Sequence, residues 1–189
     1  MTNIVQTVII NQDNNFSFCI FLIAGIRMDN LLNIGVAQLT VAENPVIMRT
    51  ILGSCVGICV YERNKKIGGM AHILLPKNPG NANPEKYADT AIPMLIQQML
   101  KKGCKREFMT AKIAGGASMF KFKSTTTLAN IGENNVEATR QALAKFSIPI
   151  VAEDIGGSAG RIIDFFLEDG RLKVKASGDE KITAALCVT

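Results

Sequence analysis

At 189 residues, with 48% hydrophobic and 20% charged residues, the chain has the length and balance of one self-sufficient globular domain, which excludes a disordered or fibrous protein. The net charge of +5 is spread along the chain, with short clusters only at Arg63–Lys66 and Lys101–Arg106. With no Trp and two Tyr there is no basic stripe interleaved with aromatics, so no nucleic-acid partner is expected, and the cations read as a solvated surface or, next, as complementary to an acidic protein partner.

Five cysteines, Cys19, Cys55, Cys59, Cys104 and Cys187, form an odd set without framework spacing, which points to free thiols in a reducing, cytoplasmic compartment. The apolar run at 16–26 is only eleven residues long, short of the ~20 that span a bilayer. It also lacks the basic n-region and cleavage site of a secretory signal. Residues 1–27 read as an N-terminal extension, poorly ordered or not native, with Met28 as the alternative start and 28–189 as the domain.

In chain order, the imperfect alternation over Ile34–Val41 predicts a first strand, closed by Asn44-Pro45. Val46–Leu52 and the β-rich Cys55–Tyr61 follow, and the polar turn Arg63–Lys66 joins the latter to Ile67–Leu75 as a hairpin. Pro76–Pro84 is rich in turn formers and is expected to be an exposed flap. From Asp89 to Lys102, Ile92, Leu95, Ile96, Met99 and Leu100 recur at helical spacing, and Gly103 stands where a helix stops.

Glu107–Ala114 reads as a strand running into Gly115-Gly116, and 121–128 as a surface loop. Asn130 followed by Glu133 resembles a capping arrangement opening a helix to Phe146, with Val136, Leu143 and Phe146 inward. Ile148–Ile155 is a strand, 156–160 a loop, and Arg161–Lys175 a hairpin turning at Asp169-Gly170. This order of elements predicts a single α/β (α+β) domain, a layered sandwich of mixed sheets with flanking helices.

Cys55 and the unique histidine, His72, lie on the two arms of the first hairpin. A turn centred on Asn64-Lys65 sets His72 opposite Gly57, which makes Cys55 its diagonal neighbour at ~7–8 Å by backbone, within reach of an imidazole. A one-residue slip of register would send the two to opposite faces. An imidazole beside a thiol is the minimal nucleophile and base, Thr50 is the nearest polar side chain to orient the ring, and the small Gly53-Ser54 pair leaves backbone N–H groups free to hold an oxyanion. Against this, a cysteine in an apolar strand is most often a small buried hydrophobe, and a histidine there a hydrogen-bonded core residue. A zinc site from Cys55, Cys59, His72 and Cys104 is disfavoured because residues four apart on a strand stand ~13 Å apart, too far to share one ion, and the spacing is no recognised zinc pattern either, so no metal is expected.

Several stretches carry a family resemblance: Leu52-Gly53-Ser54-Cys55-Val56-Gly57, Gly69-Met70-Ala71-His72-Ile73-Leu74-Leu75-Pro76, Lys86-Tyr87-Ala88-Asp89-Thr90-Ala91, Ala111–Phe120, Asn130-Ile131-Gly132-Glu133-Asn134-Asn135-Val136 and Ala152–Gly157. Together they resemble, in order from about Ile34 to Lys175, the CheD family of chemoreceptor glutamine deamidases. The resemblance implies a layered α/β fold and a cysteine hydrolase, a protein-glutamine glutaminase, that converts glutamine side chains of methyl-accepting chemoreceptors to glutamate and releases ammonia. It sets the nucleophile at Cys55, the histidine at His72 and the third catalytic residue at Thr50, and it implies no cofactor. It also implies a CheC-type phosphatase as a binding partner. A non-enzymatic adaptor that only binds the phosphatase or receptor is the alternative, and a cysteine protease a weaker one.

Overall fold

The computed structural model describes residues 30–80, 83–118 and 130–176, with the backbone alone of 182–186. The expected extension 1–27, the loop at 121–128, Cys19 and Cys187 lie outside the described residues. Among the described residues ten strands form two five-stranded sheets, and two α-helices cover one of them.

The first sheet is built from β1 (Leu31–Asn33), β3 (Ile47–Leu52), β8 (Arg161–Phe166), β9 (Leu172–Ala176) and β10 (Ile182–Leu186), adjacent in that order. The second runs β2 (Leu39–Glu43), β5 (Ile67–Ile73), β4 (Val56–Glu62), β6 (Met109–Gly115) and β7 (Ile150–Ile155). Both are mixed, since β1 pairs parallel to β3 and β7 parallel to β6, while the other neighbours run antiparallel.

The second sheet is the middle layer. All seven residues of β4 are buried, because its alternate faces meet different partners. Val56, Ile58 and Val60 pack with Ile92, Leu95, Ile96 and Met99 of helix α1 (Ala88–Lys101) and with Val136 and Leu143 of α2 (Ile131–Lys145). Cys59 and Tyr61 point the other way, into a core shared with Met48, Leu52, Ile163, Phe165 and Val174 of the first sheet. The molecule is therefore a sheet–sheet–helix sandwich with two apolar interiors.

Most expected elements are present within a residue or two, with four differences. Ile34–Gln38 is not a strand: the Gln38 side chain accepts a bond from the Gly35 N–H at 2.8 Å and Ala37 takes φ 56°, closing a turn before β2 begins. Asn130 occupies the N-cap position of α2 without making the expected capping bond, because its φ −114°, ψ 23° departs from the extended backbone that aims such a side chain at the helix amides. Leu100, expected on the inner face of α1, is 36% exposed at the edge of the apolar stripe. Strands β1 and β10 have no counterpart in the periodicity, being a short edge strand and a terminal one.

Candidate active site

The first hairpin pairs as its turn predicts. Glu62 faces Ile67 and Gly57 faces His72, so Cys55, one residue before β4, is diagonal to the imidazole on the inter-sheet side. Gly57 lies between them in the register, and a Cβ there would stand 2.8 Å from Ile163 Cδ1 and 2.9 Å from Leu52 Cδ1. The first sheet thus packs closely beside His72, and a side chain at position 57 would have to displace the ends of Ile163 and Leu52.

Thr50 comes from that opposite sheet. Along β3 the residues Met48, Thr50 and Leu52 are buried alternately with half-buried or exposed ones, and this period of two carries the hydroxyl across the gap. Its Oγ1 lies 2.7 Å from His72 Nδ1 and 2.7 Å from the carbonyl oxygen of Ile34. A hydroxyl has one proton, and the carbonyl can only accept, so Thr50 donates to Ile34 and accepts from Nδ1–H. That assigns the ring tautomer: Nδ1 holds the proton and Nε2 carries the lone pair.

Among the described residues, Nε2 is a buried polar atom without a hydrogen-bond partner. His72 is only 2% exposed, and burial pushes its pKa down to about 4, which keeps the ring neutral at physiological pH with the Nε2 lone pair free to accept a proton. Cys55 is a free, half-buried thiol. Burial pushes its pKa up, partly countered by its own backbone N–H. The resting pair is therefore a neutral thiol beside a neutral imidazole, able to transfer a proton once a reacting carbonyl draws charge onto sulfur.

Three bonds fix the turn that precedes Cys55. The carbonyls of Gly53, Ser54 and Cys55 accept, respectively, from Ala117 N–H at 2.9 Å, Asn135 Nδ2 at 3.1 Å and Gly116 N–H at 2.8 Å. In a planar trans peptide the next N–H points opposite to the carbonyl, so the N–H groups of Ser54 and Cys55 turn away from those anchors. Gly115, at φ 109°, permits the close approach, since a Cβ there would collide with the Cys55 carbonyl oxygen.

Of the expected site residues, Thr50 and His72 are in direct contact, Cys55 is set by register beside them, and Gly53 and Ser54 form the anchored turn. Cys59 shares the inter-sheet core and Cys104 the helix-side core, on opposite faces of the middle sheet. Among the described residues, no three His, Cys, Asp or Glu side chains are grouped to hold a metal. Asn135 and the Gly115-Gly116 turn have no assigned role in the sequence reading. The available signal for Asn135 is a polar residue at helical spacing with the buried Gly132, Val136 and Thr139.

A family profile described as CheD chemotactic sensory transduction matches residues 74–176. A probable chemoreceptor glutamine deamidase CheD of Caldanaerobacter subterraneus is 49% identical over 78% of this chain and 94% of its own length. One from Methanococcus maripaludis is 44% identical over 80% of this chain and 98% of its own, and the chemoreceptor glutamine deamidase CheD of Halalkalibacterium halodurans is 44% identical over 82% and 100%. Among solved structures, the Bacillus licheniformis hypothetical protein YfiH gives a TM-score of 0.42 at 15% identity over 61% of this chain and 49% of that one, too slight a likeness to bear on function. With a profile over more than half the chain and relatives matched along nearly their whole length, this chain belongs to the CheD family.

Proposed function

We propose that the chain is a chemoreceptor glutamine deamidase, a protein-glutamine glutaminase that uses Cys55 as nucleophile, His72 as base and then acid, and Thr50 to orient the ring. The observation that carries this reading is the Thr50–His72 bond of 2.7 Å, which leaves the buried Nε2 bare on the ring edge away from Thr50.

The steps follow from the protonation states. Nε2 takes the thiol proton as Sγ attacks the glutamine carboxamide carbon, and the tetrahedral oxyanion is held by backbone N–H groups of the Gly53–Cys55 turn. The imidazolium gives its proton to the departing nitrogen, ammonia leaves, and a thioester remains. Water then attacks that carbonyl, losing a proton to Nε2, and collapse returns the thiol and a glutamate. Nδ1–H stays on Thr50 throughout, and no cofactor enters.

The substrate is the cytoplasmic region of a methyl-accepting chemoreceptor. A cytoplasmic setting is supported by the free thiols of Cys55, Cys59 and Cys104. Among the described residues no helix is long and apolar enough to cross a membrane. A CheC-type phosphatase is the expected regulatory partner, and its addition is expected to slow deamidation.

Receptor cytoplasmic fragment incubated with the protein is expected to gain about 1 Da per modified glutamine with an intact backbone, as NH2 is replaced by OH. Cys55→Ala is expected to abolish the gain. Undiminished conversion by Cys55→Ala would refute the nucleophile; binding without ammonia release by the wild type would favour the adaptor; a cleaved backbone would favour a protease.

A further inference from the structure

The side chain of Asn135 ties the two halves of the site together from the helix side. It is fully buried on α2, and its Nδ2 lies 3.1 Å from the Ser54 carbonyl oxygen and 3.0 Å from that of Leu74. Ser54 immediately precedes the nucleophile, and Leu74 follows His72 by two residues. Only an NH2 group can serve two carbonyls at once, so the amide orientation is determined and Oδ1 faces elsewhere. Among the described residues Oδ1 is buried without a partner.

The arrangement does little for the helix that carries it. Asparagine is a weak helix former, and an unpaired buried carbonyl oxygen carries a desolvation penalty. A smaller apolar residue would suit α2 itself better but would strip the Ser54 and Leu74 carbonyls of their donor. What the asparagine supplies instead is an orientation: by holding the Ser54 carbonyl it fixes the plane of the Ser54–Cys55 peptide, whose other polar end is the Cys55 N–H. That N–H turns away from the Asn135 anchor, on the residue that carries Sγ, which leaves it for an oxyanion forming next to the sulfur.

We propose that Asn135 is a positioning residue for deamidation, setting the Ser54–Cys55 peptide so that the Cys55 N–H meets the oxyanion, and holding that peptide in register with the His72 strand. The inference rests on the deamidase reading with Cys55 as nucleophile.

The test is Asn135→Ala in the full chain, with Leu143→Ala, two turns along the same buried face, as the control for a destabilised helix. Two readouts are taken at a temperature where each variant is folded by circular dichroism: kcat and KM on receptor fragment, and the rate of iodoacetamide labelling of Cys55 located by peptide mass spectrometry. For Asn135→Ala, kcat is expected to fall about 10- to 100-fold with KM within about twofold, the size usual for a lost orienting bond. Labelling is expected to accelerate, because a freed turn exposes the thiol while misplacing the N–H. Leu143→Ala is expected to move neither readout beyond about twofold, as stability and positioning are separable.

An unchanged kcat in Asn135→Ala, or an equal loss in Leu143→Ala, overturns the proposal. If the alanine variant does not fold, Asn135→Ser, which keeps one donor but cannot bridge both carbonyls, is judged by the same criteria. A wild type that gives no mass shift refutes the deamidase reading itself. The labelling rates then still decide whether Asn135 holds the turn.

Discussion

Along β4 the layer between the sheets has two ends, roughly 20 Å apart. At the Tyr61 end, polar side chains reach across to backbone carbonyls of the opposite sheet: the Tyr61 hydroxyl donates to Leu167 at 3.2 Å and Lys112 Nζ to Gly170 at 2.8 Å. At the Cys55 end Thr50 donates within its own sheet, to the Ile34 carbonyl just after β1, and the contact across the layer is its bond to an imidazole whose second nitrogen is unmatched among the described residues. The two cysteines of β4 and its approach differ in the same sense. Cys59 is 1% exposed, and burial pushes its pKa far up, whereas Cys55 is half-buried at the edge of the same inter-sheet core. One end has its polar groups matched to backbone carbonyls, while the other leaves an imidazole nitrogen unmatched among the described residues and a thiol half-buried.

The largest effects should separate the ends outright. His72→Ala is expected to lower kcat/KM for receptor deamidation by about 10³-fold or more, as for loss of a base acting as a unit with its nucleophile. Cys59→Ala, four residues from Cys55, is expected to stay within about twofold in kcat while costing roughly 1 kcal/mol for the small cavity. Equal losses in the two variants would break the distinction. Thr50→Val comes next: it removes the acceptor for Nδ1–H and frees the ring to adopt the other tautomer. A drop in kcat of about 10- to 100-fold with KM unchanged is expected, with Thr50→Ser restoring most of it. A Thr50→Val enzyme with full activity would show that the ring needs no such support.

How much of this could be read from the sequence depended on whether a contact was local. The Cys55–His72 relation was legible because the Asn64-Lys65 turn fixes the register of a hairpin, and Gly57 does face His72. The helix α1 stripe was legible because four of its five apolar positions are buried together. The Thr50–His72 bond was not derivable this way. It depends on the packing of two sheets, and nothing between residues 50 and 72 encodes how β3 lies over β5. Nearness to Cys55 in the sequence and the family resemblance both single out Thr50, and alternate burial along β3 accounts for its contact with His72. The turn at Ile34–Gln38 was misread as strand because its closure depends on one side chain, Gln38, and on a backbone bond from Ala37 N–H to the His72 carbonyl at 3.1 Å. The anchoring of the Gly53–Cys55 turn by Gly116, Ala117 and Asn135 lies about 60 to 80 residues downstream, beyond the range of any periodicity.

The pH response sharpens the contrast at intermediate size. Since the Cys55 pKa is raised and that of His72 is lowered, the resting enzyme holds no thiolate–imidazolium pair. Iodoacetamide labelling of Cys55 is expected to be slow at pH 7 and to keep rising through pH ~9, beyond the ordinary thiol pKa of about 8.5. A plateau at neutral pH would mean a preformed ion pair and contradict this. For folding, the His72 pKa of about 4 lies below its unfolded value, so the unfolded chain takes up a proton that the folded one refuses. The resulting stability is fully present above pH ~6.5 and is lost as pH falls toward 4, amounting to roughly 3 kcal/mol. Urea titrations at several pH values should show this slope in the wild type and lack it in His72→Gln.

The smallest expected effect belongs to the Tyr61 end. Tyr61→Phe keeps the ring that meets Phe165 edge-on, with centroids 6.1 Å apart at 81°, and removes only the hydroxyl bonded to Leu167. The loss should be near 1 kcal/mol, the net worth of one buried hydrogen bond, and a melting-temperature decrease of about 2–4 °C for a chain of this size. Deamidation should be untouched, because the bond joins the sheets at a point remote from Cys55. If kcat fell in proportion to the lost stability, the two ends would not be independent. Thr50 would then owe its place over His72 to sheet packing transmitted along the whole layer, and no longer to its own bond to Ile34.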